Sequence, residues 1–213
     1  MTWIATIPYE QSKGRLRLLY DRIKGPGTHV DNIMKAHSLR PHTMEAHMMI
    51  YKYVLYHSAN KVPSWMLETI GAYVSVLNGC AYCTAHHLEG LRTLIKDPDR
   101  SNTIFGALAA DKPEFAFEGR ELAMLRYARE LTLAPRAVTE ASVQALRDAG
   151  LDDGEILEVN QVTGYFAYAN RMVNGLGVDT KGEIVGLSPN DAGDDDNWTH
   201  SMAEPAEPAR QGG

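Results

Sequence analysis

The stretch Leu67-Glu68-Thr69-Ile70-Gly71-Ala72-Tyr73-Val74-Ser75-Val76-Leu77-Asn78-Gly79-Cys80-Ala81-Tyr82-Cys83-Thr84-Ala85-His86-His87 decides the fold. Its apolar run is broken by Asn78-Gly79, a pair that favours a turn. Upstream, Ser64 follows Pro63 and precedes Trp65-Met66-Leu67-Glu68, the position of a helix N-cap. Downstream, a second helix is expected from about Gly79 or Cys80 to about Ile95. The segment therefore reads as two helices joined at a turn.

The same period extends in both directions. Over Glu10 to Ile23, the residues Leu16, Leu19 and Ile23 recur at helical spacing, and over Pro41 to Tyr56 so do Met44, Met48, Tyr51 and Leu55. From Gly154 to Gly175, Ile156, Val159, Val162, Phe166, Ala169 and Val173 form one continuous stripe. Asp97-Pro98-Asp99 reads as a stop. Glu118 to Leu133 reads as a helix ended by Ala134-Pro135, and Thr139-Glu140 as the start of a helix that Gly150 closes. Asp152-Asp153-Gly154-Glu155 opens the last one. No segment alternates with the period of a strand. The expected architecture is an all-α bundle of about eight or nine helices in one domain, residues 1–187. From Ser188 the composition turns to Pro, Gly, Asp and Ser, so 188–213 is expected to be a polar, flexible tail with Trp198 as its one candidate anchor.

Composition narrows the functional classes. A chain of 213 residues with 44% hydrophobic content can bury a sizeable core. It contains no apolar run long enough to span a bilayer, and its start lacks the basic and apolar regions of a secretory signal. A cytoplasmic protein without a membrane partner is expected. The net charge of −6 argues against nucleic acid as a partner. Arg15, Arg17, Arg22 and Lys24 read as a solvated helix face. The only two cysteines lie three residues apart, which in a reducing compartment points to redox chemistry or half of a metal site rather than a disulfide scaffold.

Residues three, four and seven apart share a helix face, so Cys80, Cys83 and His87 line one stripe. Cys80 falls in the expected first turn, where free amides and the helix dipole favour a thiolate. A thiolate attacks a peroxide oxygen to give a sulfenic acid, which a neighbouring thiol condenses to a disulfide. Glu68 lies twelve residues before Cys80, about 18 Å away on a straight helix. It can reach His87 only if the turn folds one helix back on the other. Two other readings of the cysteines are open: ordinary buried side chains, or zinc ligands together with His86 and His87. Adjacent histidines, however, point about 100° apart on a helix. His86 reads as solvent-facing or as a core hydrogen-bonder. His37, His42, His47 and His57 read as scattered structural residues, and Met44, Met48, Met49 and Tyr51 as core packing.

The pattern Glu-x11-Cys-x2-Cys-x3-His, with Asn78-Gly79-Cys80-Ala81-Tyr82-Cys83 at its heart, resembles the alkylhydroperoxidase (AhpD-like) and carboxymuconolactone decarboxylase superfamily, in particular its peroxidase-related branch. Arg126 to Thr132, Val138-Thr139, Leu146 to Leu151 and Asn170 to Val178 extend the resemblance over roughly residues 8 to 180. It implies an AhpD-like helical bundle, trimeric or hexameric, that reduces small hydroperoxides and is itself reduced by an external dithiol, with no metal, haem or flavin. It also implies Cys83 as the peroxidatic sulfur, Cys80 as the resolving one, His87 as a base acting through water, and Glu68 as the group that orients it. Where well-studied members carry a histidine between the cysteines, this chain has Tyr82, and so lacks one proton-transfer group. The rival functions are a lactone decarboxylase, to which a dithiol contributes nothing, and a non-enzymatic redox sensor or assembly protein that uses the dithiol as a switch.

Overall fold

The computed structural model describes residues 2–189 and 194–201. Among them run nine α-helices: α1 (Gly14–Ile23), α2 (Asn32–Ala36), α3 (Pro41–Tyr56), α4 (Ser64–Leu77), α5 (Ala81–Ile95), α6 (Pro98–Ala109), α7 (Gly119–Leu133), α8 (Glu140–Asp148) and α9 (Asp153–Leu176). Two short 3₁₀ turns, Tyr9–Gln11 and Pro113–Phe115, complete the described elements. The sole extended pairing among the described residues is an isolated bridge between Ser188 and Ser201. No helix among them is long and apolar enough to cross a membrane.

Helix α4 is the centre of the bundle. Every residue from Met66 to Ser75 is buried, because α5, α7 and α9 surround it. Gly71 makes the tightest of these contacts possible: a Cβ there would lie 2.2 Å from the Phe166 ring of α9. Beyond α4 the chain reverses at Gly79 (φ 63°), a left-handed position that glycine occupies without steric cost. Helix α5 then returns along α4. Asn170 of α9 secures the turn. Its carbonyl accepts from Asn78 Nδ2 at 3.0 Å and its own amide donates to Ser75 Oγ at 3.1 Å.

Several boundaries differ from the sequence reading. Ser64 is the first helical residue and Pro63 holds the cap position, where no side chain accepts a hydrogen bond. Asp97 does more than end α5. Its carboxylate accepts from Arg100 N at 3.0 Å, and with Pro98 in the first turn it starts α6, a helix absent from the sequence reading. The starts at Thr139 and Asp152 both form reciprocal capping boxes.

Past residue 187 the described chain is anchored by the buried residues Ser188, Pro189, Trp198 and His200. Ser188 and Ser201 exchange backbone hydrogen bonds of 3.0 and 3.1 Å. Trp198 is 3% exposed and lies 3.5 Å beneath the Arg22 guanidinium. The rest of the segment expected to be flexible, 190–193 and 202–213, lies outside the described residues.

Candidate active site

Cys80 is the N-cap of α5, one position before the first turn in which the sequence reading places it. Its sulfur accepts from the Cys83 amide at 3.4 Å. The two sulfurs are 2.8 Å apart, both cysteines are free, and both are buried. The two are hydrogen-bonded to each other. The hydrogen bond from Cys83 holds the Cys80 thiol below its ordinary pKa, helped by the Cys83 amide and the Asn170 side chain. The same hydrogen bond, followed by burial, pushes Cys83 well up. Of the two sulfurs, the capping one is thus the easier to ionise, where the amides of the helix start meet it.

The reversal at Gly79 folds α5 back so that Glu68 and His87 meet. His87 Nδ1 lies 2.7 Å from Glu68 Oε2. The other carboxylate oxygen accepts from the Tyr56 hydroxyl. Burial, then Glu68, drives Tyr56 well above its ordinary pKa, so the phenol stays a donor. This contact holds Nδ1 of the ring against the carboxyl group and so sets the direction of Nε2. Phe166 stands edge-on to the imidazole at 4.5 Å and fixes its plane.

Cys83, His87 and His86 line one small cavity of about 40 Å³. Cys80 is 0% exposed and stands behind Cys83, away from the cavity wall. Tyr51 and Tyr165, ring centroids 5.8 Å apart, form another side. His86 is buried, with Nε2 3.1 Å from Glu183 Oε2, and Glu183 Oε1 accepts from the Tyr82 hydroxyl at 3.0 Å. Tyr82 is thus a structural partner of a buried carboxylate. His86 faces Glu183 and His87 faces Glu68, so the two adjacent imidazoles share no centre with the sulfurs. Among the described residues no three His, Cys, Asp or Glu side chains converge to hold a metal ion.

Of the four residues read from the sequence, Cys83 and His87 line this cavity, while Cys80 and Glu68 stand behind them, each hydrogen-bonded to one of the two. The sequence reading missed Tyr56, Glu183, Asp31, His47 and His200. His47 had been assigned a scattered structural role, yet it too lines the cavity, with Nε2 3.2 Å from the Tyr165 hydroxyl. Its ring lies 5.0 Å from that of His37, which belongs to the preceding turn and not to the same helix. Only long-range contacts bring these residues in, and no local spacing announces them.

No family model matches the sequence, and no curated protein is significantly similar to it. Solved structures are similar in fold. The AhpD core of a peroxidase-related protein from Ralstonia eutropha JMP134 superposes with a TM-score of 0.71 at 22% identity, over 84% of this chain and 91% of that one. A peroxidase-related protein from Silicibacter sp. TM1040 gives 0.65 at 24%, over 83% and 87%. The debrominase Bmp8, solved with 2,3,4-tribromopyrrole, gives 0.59 at 14%, over 79% and 82%. One backbone thus carries more than one chemistry, and the activity must be argued from the site. What these superpositions establish is that the chain has the AhpD-like fold.

Proposed function

We propose that the protein is a thiol peroxidase that reduces hydroperoxides through the Cys80–Cys83 dithiol. The observation that carries this reading is the convergence on one cavity of Cys83 and of an imidazole held by a buried carboxylate, with a second sulfur 2.8 Å behind Cys83. Cys83 passes its proton to the capping Cys80 sulfur or, through water, to His87 Nε2, and its thiolate attacks the distal peroxide oxygen. The O–O bond breaks, an S–O bond forms, and the departing oxyanion takes that same proton back from Cys80 or the imidazolium and leaves as alcohol. Cys80, now the thiolate, attacks the sulfenic sulfur of Cys83 and forms the disulfide, and the hydroxide it displaces takes a proton relayed from solvent through His87 and leaves as water. Glu68 stabilises the imidazolium that forms in the relay. An external dithiol returns the pair to its reduced state, so the cycle belongs in a reducing compartment such as the cytoplasm. Self-association as a trimer or hexamer is part of the proposal, supported by the exposed apolar side chains of Met49, Ile50 and Tyr168 beside a groove of about 600 Å³ between α3 and α9.

Stopped-flow mixing of the reduced protein with peroxide, with thiol titration before and after, tests the proposal. Two thiols should be lost per peroxide consumed. Cys83→Ser should abolish turnover, and a Ser variant that consumes peroxide at the wild-type rate would end the assignment. Slow oxidation accompanied by a change of oligomer on reduction would favour a redox switch instead.

A further inference from the structure

The segment 194–201 reaches the proposed active site. His200, 4% exposed, lies in the wall of the dithiol cavity. Its ring stacks on Tyr51 with centroids 6.3 Å apart and planes at 28°, and its Nε2 lies 3.7 Å from Asp31 Oδ2 across the cavity wall. It is held from behind by a set of contacts remote from the sulfurs. Trp198 is clamped under Arg22, its carbonyl oxygen lies 3.2 Å from His200 Nδ1, and Asp195 accepts from the Ser58 amide and hydroxyl at 2.9 and 2.8 Å. Gly25 of the loop after α1 makes room for the segment: a Cβ there would lie 3.1 Å from the His200 carbonyl oxygen and 2.8 Å from Leu187.

What remains beside Cys83 is small. A water molecule needs about 10–15 Å³ of such space, so a cavity of about 40 Å³ has room for a few water-sized groups. Hydrogen peroxide, two linked oxygens, fits. A tertiary hydroperoxide does not, because its branched or aromatic carbon would have to enter walls of stacked Tyr51, Tyr165 and His200, whose backing is packed. The rim also supplies Asp31, His47 and His87, polar groups suited to a small peroxide with an O–H at each end rather than to one with a hydrocarbon tail.

We infer that the C-terminal segment is a size filter: by placing His200 against Tyr51 it restricts the dithiol cavity to hydrogen peroxide and excludes bulky organic hydroperoxides. The inference rests on the peroxidase reading for its substrate and on the cavity wall for its selectivity, and the two can be separated. The reduced full-length protein is mixed with hydrogen peroxide, tert-butyl hydroperoxide and cumene hydroperoxide in turn, and each rate is divided by that of free cysteine. In parallel, the rate of Cys83 modification by iodoacetamide is compared with that by the bulkier N-phenylmaleimide, the modified sulfur being located by mass spectrometry.

Wild type should favour hydrogen peroxide over cumene hydroperoxide by roughly 100-fold after that correction, the scale on which a close-fitting pocket discriminates by size. His200→Ala should cut the preference by about 10-fold, and Trp198→Ala, which loosens the segment without touching the cavity, should shift it in the same direction. The ratio of the two alkylation rates should move in parallel. Equal corrected rates for the three hydroperoxides in wild type would overturn the filter, as would ratios unchanged in both variants. If no hydroperoxide is consumed at all, the peroxidase reading falls, and the alkylation ratios alone then decide for or against the wall.

Discussion

Glu68 meets Tyr56 through one carboxylate oxygen and His87 through the other, so neither lone-pair set is left facing hydrocarbon. A buried charge is tolerable only when it is hydrogen-bonded in this way. Glu68→Gln preserves the shape and removes the charge that stabilises a protonated His87. Peroxide reduction is expected to fall on the order of 100-fold in stopped-flow assays while both thiols still titrate; an undiminished rate would remove Glu68 from the relay. The cysteines and His87 were legible in the sequence because their spacing lies within one helix, where period alone fixes which side chains align. Glu68 was legible only conditionally, since its meeting with His87 depends on the reversal at Gly79. Tyr56, Asp31, Glu183 and His200 left no trace in any local pattern, because each arrives from another part of the chain and the physics that selects it is tertiary burial.

At the scale of elements, the approach of α9 to α4 depends on the missing side chain at Gly71. Phe166 fills that space and stands edge-on to His87, so core packing and the candidate site share one contact. Gly71→Ala is expected to cost about 1–3 kcal/mol through overpacking, read as a lower urea midpoint. The same variant should slow peroxide reduction, because the displaced ring pushes on the imidazole; an unchanged midpoint would show that Phe166 has room to move. Helix α3 runs over the residues its periodicity indicates, and α9 extends one residue beyond the expected stripe at each end. Helix α6 was missed because Asp97-Pro98 was read as an ending. An aspartate followed by proline is equally a beginning, since proline suits the first turn and the carboxylate caps it. Ser64 misled in a smaller way: its neighbour Pro63, already extended at φ −57° and ψ 140°, occupies the cap.

For the molecule as a whole, buried imidazoles set the response to acid. Burial holds His47 down to about 3 from its ordinary 6.5, and it lowers His37 and His200 as well. The unfolded chain takes up these protons at the ordinary value while the folded chain refuses them. Stability is therefore full above 6.5 and is lost as pH falls from there toward about 3. The urea midpoint should drop between about pH 7 and about pH 5, and more gently in His47→Asn; a flat profile would mean that these rings are hydrated. Helix α9 imposes a further constraint on the whole. Near its start, Glu158 accepts from the amides of Lys61 and Val62 just before α4, while near its end Asn170 and Asn174 grip the turn just after α4. Helix α4 is thereby clasped at both ends like a rod in a vice. The dithiol, just past Gly79, therefore rests on a fixed base. Helix α5, about 22 Å long, is joined to that base at the turn and again one helical turn past Cys83, where His87 meets Glu68, so the sulfurs are braced from both sides.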